Sequence, residues 1–451
     1  MLLPSPPAEL ADLPRVPGLP LVGNTVSHVV DAYAHSRRAA AYGPVTLSYI
    51  FGKWRVTLEG ADAARYVLTD PDRFFSSKEG QDILYPFFTG GLPVRDFDDH
   101  RRHRRIMQAA FRADAMRGYV KLMADEVSSL LGRLPKERSF PFASAIKAEL
   151  LRMGGKALMG LDVESEELAA LNQAFIDEQT GCVSIVRKPL PFTRFRRGLK
   201  AREFLMNRLG AMIPERIASG GDDFFSQMCR SLDDEEGWTE QEILDHFNFL
   251  MLAAYDTNAS SMTTMAWGLG RDPDWQDAVA EEARDLVDDV EQLHASGDAA
   301  GLIARLGDAP RLHWSIMEAM RLMPPAPFLS RTPLQAFEWH GVQIPTGVSI
   351  TIPQWRVMRD PCFYTAPDRF DAERFSPDRE EHRAHPFAWI PFGGGAHKCI
   401  GMHFAQYQMR LIMANILARF RIELDTPDPR WAILPVPRPK DGLPLRLVPR
   451  A

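Results

Sequence analysis

Apolar residues recur at intervals of three and four from Asp99 to about residue 218, so this stretch reads as one helix after another, with breaks near Leu134-Pro135, Gly160 and Lys188-Pro189. Further helices are expected at about 61–68, 275–294, 312–322 and 400–418. The last is apolar on one side through Phe404, Leu411, Ile412, Ile416 and Leu417. The longest candidate begins at Thr239, where a capping box with Glu242 would satisfy two backbone amides, and it stays free of proline until Pro273. Such a helix spans about 40 Å at about 1.5 Å per residue. Its middle, Phe247 to Tyr255, carries no charge, so it should cross the interior; Asp256 and Thr257 then stand inside it.

Alternating segments are few. Residues 45–51 and 55–58, separated by Gly52-Lys53-Trp54, read as a hairpin, and short strands at 337–340 and 348–352 flank a turn near Pro345-Thr346-Gly347. The sheet content is therefore expected to be small and mostly N-terminal. Prolines gather in residues 4–20 and 427–449, which should be extended, and a winding, aromatic-rich segment occupies 360–392. The fold class is mainly α with small β sheets. We expect a single domain over 1–451, with a β-containing N-terminal lobe over 1–97 and a helical lobe over 98–451.

Composition narrows the function without naming it. The 451 residues carry 53 Lys+Arg against 59 Asp+Glu, a net charge of −6, which is no nucleic-acid footprint. With 45% apolar and 25% charged residues the chain is globular, and disorder as a class is excluded. Cys182, Cys229, Cys362 and Cys399 are too scattered for a disulfide framework or a C-x-x-C motif. The opening residues show no basic region before an apolar core, and no stretch approaches about eighteen uninterrupted apolar residues, so the expectation is a soluble, cytoplasmic protein without a membrane anchor. The basic and aromatic stretch 187–200 is read as a solvated connection in preference to a membrane-touching lip.

The most informative stretch is Phe392-Gly393-Gly394-Gly395-Ala396-His397-Lys398-Cys399-Ile400-Gly401, three glycines in a turn and then a cysteine at the mouth of a helix. The positive helix end favours a thiolate there, as do His397 and Lys398. A phosphate loop would need a Gly-Lys-Ser/Thr ending, and a dinucleotide fingerprint would need Gly-x-Gly-x-x-Gly after a strand. Two readings stay open: a cysteine nucleophile with a histidine base, and a thiolate that holds a haem iron.

The same segment resembles the haem-binding signature of the cytochrome P450 monooxygenases, Phe-x-x-Gly-x-Arg/His-x-Cys-x-Gly. Four other stretches resemble that family in its order: His100 to Arg104 within Asp99–Arg105, Ala253-Ala254-Tyr255-Asp256-Thr257, Glu318-Ala319-Met320-Arg321, and Asp371-Ala372-Glu373-Arg374-Phe375. The resemblance covers nearly the whole chain. It implies a cytochrome P450 fold with haem b, non-covalently bound, between the long central helix and the cysteine helix. It implies Cys399 as iron ligand, Phe392 beside the sulfur, Gly395 at the turn and Gly401 close to the ring. His100, Arg104, Arg331 and His397 would hold the propionates. Ala253 would leave room for dioxygen, Thr257 would position a proton and Asp256 would connect the site to water. Glu318, Arg321 and Arg374 would form a locking charge network. Some features of soluble bacterial members combine here with chain ends like those of sterol- and retinoid-type members.

Departures from the family pattern are Ala254 for glycine, the bulky Tyr255, Ala372 for proline, and Met358 where histidine is frequent. The segment 74–97 is expected to roof a substrate pocket through Phe74, Phe75, Tyr85, Phe87, Phe88, Leu92 and Phe97, with Tyr255, Phe328 and Leu329 at its sides. The implied reaction inserts one oxygen atom from O2 into a lipophilic substrate such as a terpenoid, steroid or fatty acyl compound. Electrons would come from a ferredoxin or similar protein with its reductase, because no flavin or nicotinamide domain fits in the remaining length. The rivals are a haem-binding redox or oxygen sensor and a cysteine-dependent hydrolase.

Overall fold

In the computed structural model, which describes residues 3–162, 165–221, 223–233 and 237–450, the capping box at Thr239 forms. The Glu242 carboxylate accepts from the Thr239 N–H at 2.8 Å, while the Thr239 hydroxyl accepts from the Glu242 N–H at 3.3 Å. The helix so started runs over Glu240–Gly270, 31 residues or about 46 Å. It is buried on more than one side, Phe247 and Met251 as well as Met262 and Met265 being fully enclosed, as its uncharged middle requires.

The helices that position the site and its supports are α1 (Phe97–Ala109), α2 (Phe142–Met159), α3 (Glu166–Cys182), α4 (Arg194–Ser219), the long α5 (Glu240–Gly270), α6 (Pro310–Leu322) and α7 (Met402–Arg419). Several short helices, among them Thr25–Val30, Ala32–Ala40, Phe224–Arg230 and Ala299–Gly307, have no counterpart in the expected set, being too short for a clear period. No helix among the described residues is long and apolar enough to cross a membrane. The 187–193 connection is solvent-facing at Leu190 and Phe192.

The hairpin β1 (Val45–Ile50) and β2 (Lys53–Leu58) pairs in the register Ser48 with Arg55 and Thr46 with Thr57. The principal sheet, however, recruits distant chain: with β3 (Phe75–Ser76), β4 (Leu329–Pro333), β5 (Phe337–Trp339), β6 (Val342–Ile344) and β7 (Ser349–Ile352), its order is β1-β2-β7-β4-β3. β5 pairs with β6 in a separate hairpin, so the strands at 337 and 349 are not partners. The expectation of a mostly N-terminal sheet is thus corrected. Two of its five strands come from the C-terminal third, and a third sheet joins residues 140–141, 420–424 and 444–449. Such pairing depends on partners hundreds of residues apart, which no local pattern encodes.

The two faces of this sheet differ in chemistry. Val45, Leu47, Val56, Leu58 and Ile350 enter one apolar core, while Thr46, Ser48, Arg55, Thr57, Ser349 and Thr351 share the other face by alternation and register.

Where α3 packs near α5, Glu178 is buried; its carboxyl accepts from Asn248 Nδ2 at 3.0 Å and its second oxygen has no partner. Burial raises its pKa from 4.5 to about 8, against the pull of Asn248 and Arg202. A carboxyl whose folded pKa lies above its unfolded one binds protons in the native state, so its support is full below 4.5 and is lost as pH rises to about 8. Glu178→Gln should flatten that part of the profile: urea unfolding at about pH 5 and about pH 9 should show wild type losing stability relative to the variant. An identical slope in both proteins would refute the assignment.

Candidate active site

The glycine-rich segment makes a tight turn before α7. Gly393 N–H donates to the Ile390 carbonyl at 2.9 Å, Lys398 N–H to Gly395 at 3.2 Å, and Cys399 N–H to Phe392 at 2.9 Å. Gly395 has φ +62°, and a Cβ there would run into the carbonyl oxygen of Leu68, so the turn and its neighbour both require glycine. At Gly401, by contrast, the nearest atom to an added Cβ is a Phe111 ring carbon at 4.0 Å.

Cys399 opens onto an internal cavity of about 920 Å³, which Phe392 and His397 also line. Burial pushes its thiol above the ordinary value, opposed by the Gly401 N–H and by Arg104 and Lys398. The expected help from His397 does not arise as positive charge: burial, then Arg331 and His100, hold that imidazole neutral, down to about 2. Burial thus works against the thiolate, and a cation bound at the sulfur would work for it.

Beside His397 the same cavity is lined by His100, Arg104 and Arg331. The two imidazole rings lie with centroids 3.9 Å apart. Burial, then Arg104 and Arg331, lower His100 to about 4, and its Nε2 is buried without a hydrogen-bond partner. Arg331 donates to the Ser330 carbonyl at 2.8 Å, and burial lowers it to about 10. Among the described residues neither Arg104 nor Arg331 has a carboxylate within the 4.0 Å of an ion pair. Asp96 and Asp70 act on Arg331 only from farther off, so an anion from outside the chain would complete the pair, and carboxylates match the geometry of guanidinium groups.

The long helix supplies another wall through Ala253, Asp256 and Thr257. Thr257 Oγ1 donates to the Ala253 carbonyl at 2.7 Å, one turn back. Asp256 pairs with Lys147 of α2 at 2.5 Å, a partner that no local motif announced. Tyr255 corrects its pocket assignment: its ring packs where Gly154 of α2 lacks a side chain, and its hydroxyl meets Met251 Sδ at 3.1 Å. The residue is enclosed away from the cavity and narrows nothing.

Leu92, Phe328 and Leu329 line the cavity, but Phe87 and Phe88 do not. Phe87 slots between Gly181 and Gly198 where α3 meets α4, edge-on to Phe195 at 5.2 Å, and Phe88 packs edge-on to Phe249 at 5.7 Å. Tyr85 is exposed, and Phe74, Phe75 and Phe97 are also outside the lining. Apolar aliphatic residues such as Ile83 and Leu84 replace this expected aromatic roof. Sequence reasoning also missed Arg55, Thr57 and Thr351 in the lining; the alternation Arg55-Val56-Thr57-Leu58 was the available signal.

Glu318, Arg321 and Arg374 meet in the interior, each 0% exposed. Glu318 Oε2 receives Arg321 Nε at 2.6 Å and Oε1 receives Arg374 Nε at 3.1 Å; the Asp371 N–H adds a bond at 2.9 Å. Arg374 also reaches Glu381 at 2.6 Å. Arg321 donates to the Met358 carbonyl at 2.9 Å, and Met358 Sδ accepts the Ile390 N–H at 3.3 Å, two residues before Phe392. Met358 thus joins the charge cluster to the cysteine turn.

Residues 14–441 match the sequence profile of the family described as Cytochrome P450. The chain belongs to the cytochrome P450 family. It is 32% identical to a Mycobacterium tuberculosis protein named cytochrome P450 136, over 99% of this chain and 92% of that one. It is 31% identical to the cyclooctatin synthase of Streptomyces melanosporofaciens, over 81% and 79% of the two chains. A solved structure described as retinoic acid bound cyanobacterial CYP120A1 superposes with a TM-score of 0.85 at 26% identity, covering 97% of this chain and 99% of that one. The mainly α fold with small sheets is the fold of this family, and the protein is a P450 enzyme. Its cavity fits haem by the chemistry of its lining: a sulfur open to it on one wall, and two guanidinium groups without a carboxylate in direct contact beside an orphaned imidazole nitrogen.

Proposed function

We propose that this P450 is a haem-thiolate monooxygenase that inserts one oxygen atom from O2 into a lipophilic substrate, a terpenoid, steroid or fatty acyl compound. The observation that carries the reading is one cavity shared by Cys399, the Arg104–Arg331 pair and Thr257. Bound haem b would supply dioxygen activation, with thiolate electron donation favouring O–O cleavage. Cys399 would hold its iron, and Phe392 and Gly395 set the turn that presents the sulfur. Arg104, Arg331 and His100 would bind the propionates, and His397 would add a hydrogen bond. Gly401, with no protein neighbour in close contact, leaves space beside the ring. Ala253 keeps the distal wall low.

Thr257, whose hydroxyl proton goes to the Ala253 carbonyl in this structure, would turn it toward that space, and Asp256 with Lys147 would bring protons in from the wall. This acid and alcohol pair supports electron delivery by a separate ferredoxin or similar protein with its reductase, on the Cys399 side, in the cytoplasm. The lipophilic substrate is supported by the apolar lining and by the retinoic acid held in a relative of the same fold.

Haem-loaded protein, reduced under carbon monoxide, should show a Soret band at about 450 nm. Its absence would defeat the reading. Thr257→Ala should keep that band while product formed per electron consumed falls by about tenfold or more, general acid catalysis being worth about 10²–10⁴-fold. Unchanged coupling would remove Thr257 from proton delivery.

A further inference from the structure

The sheet wall of the cavity is polar, although the rest of the distal lining is largely apolar. Arg55 and Thr57 of β2 and Thr351 of β7 line it, Thr57 and Thr351 being direct neighbours in the register. The Arg55 side chain is only 6% exposed. Its NH1 donates to Ser349 at 2.7 Å, its NH2 to Asp82 at 3.0 Å, and its Nε is buried without a partner. Gln354, also in the lining, has a buried carboxamide oxygen without a partner.

Charge on this wall is unbalanced. Lys53 Nζ shares Asp82 with Arg55, at 2.9 Å. Arg187 lies within electrostatic reach of both Arg55 and Asp82, and among the described residues its guanidinium donates to carbonyls, of Cys182 at 2.6 Å and Ile83 at 2.8 Å. Three cations thus gather about one carboxylate. An apolar ligand laid against this wall would strand the threonine hydroxyls and the one unpartnered guanidinium nitrogen, Arg55 Nε, a cost that a water-filled or anion-filled end avoids. Arginine beside paired hydroxyls suits a carboxylate, which accepts several hydrogen bonds at once.

We propose that the Arg55–Thr57–Thr351 wall is a subsite for the carboxylate of a lipophilic monocarboxylic acid, whose apolar body extends over Leu84, Leu92 and Phe328 toward Cys399. This deepens the monooxygenase reading and rests on it, because it names the substrate class of the same cavity. Arg55 is a specificity-determining residue here: it selects the acid and fixes which end of the molecule faces the sulfur.

The test is equilibrium dialysis of the haem-loaded protein with two radiolabelled pairs, tetradecanoic acid with its methyl ester and retinoic acid with its methyl ester. In at least one pair the acid should bind about tenfold more tightly than the ester, the value of a hydrogen bond to a charged group. Arg55→Met should erase that preference and leave ester binding within about twofold, while Arg55→Lys should restore part of it. Should Arg55→Met fail to fold, Thr351→Val should still reduce the preference by roughly threefold at unchanged ester affinity. Acid and ester binding alike in both pairs, or a preference that survives Arg55→Met and Thr351→Val, would overturn the subsite. The carbon monoxide spectrum of the same preparations separates the two readings: a band at about 450 nm without acid preference defeats the subsite alone, and acid preference without the band defeats the haem-thiolate reading.

Discussion

Cys399→Ser is expected to abolish the Soret band of the reduced carbon monoxide complex at about 450 nm and to lower product formation by more than about a hundredfold. Loss of groups that merely orient a metal ligand costs about 10–100-fold in affinity or activity, so loss of the ligand itself sets a higher floor. A serine hydroxyl fits the turn, because the hydrogen bond that seats residue 399 is made by its backbone N–H to Phe392. The variant should therefore keep the fold, and circular dichroism would report that separately. Cys182 is the control, since it too lines the cavity but is buried, with its thiol pushed far up by burial. Cys182→Ala should leave the band in place. A band that survives Cys399→Ser would remove this sulfur as ligand.

Glu318→Gln should destabilise the protein by about 3–5 kcal/mol, the cost of removing one partner from a buried ion pair. The reason is geometric: one carboxylate receives both Arg321 and Arg374, and all three side chains are 0% exposed, so the substitution leaves Arg321 without a carboxylate and Arg374 with Glu381 alone, away from water. Such a loss is a large share of the total stability of about 5–15 kcal/mol typical of folded proteins. Arg374→Lys should also cost stability, because one ammonium cannot span Glu318 and Glu381 as the guanidinium fork does. Thermal unfolding with haem retention followed in parallel checks both. The cysteine turn should lose haem as the cluster fails, through Met358 and Ile390. Unchanged midpoints would reduce the cluster to ornament.

Much of this site is legible in the order of residues alone. The capping box at Thr239, the hairpin at 45–58, the run of helices after Asp99 and the positions of Cys399, Thr257 and Glu318 all follow from short-range patterns, and the elements form where those patterns put them. The substrate wall is not legible in that way. Phe87 and Phe88 carry the apolar character a pocket needs, but a side chain goes where space exists, and the space is made by Gly181 and Gly198 on two other helices. Tyr255 turns for the same reason, toward Gly154. The alternation Arg55-Val56-Thr57-Leu58 shows that Arg55 faces away from the apolar core, but not that it faces the cavity, because the strand that completes that wall, with Ser349 and Thr351, lies hundreds of residues away.

The sequence by itself determined the family, the order of the helices and the place of a cysteine just after the glycine turn, since each rests on short motifs or on helical spacing. Tertiary structure alone decided which charges face the cavity unpaired, where Asp256 finds Lys147, and that a polar sheet face closes the far wall. Those outcomes depend on distances between segments separated by tens to hundreds of residues, and only packing, with its single arrangement of filled and unfilled space, assigns them.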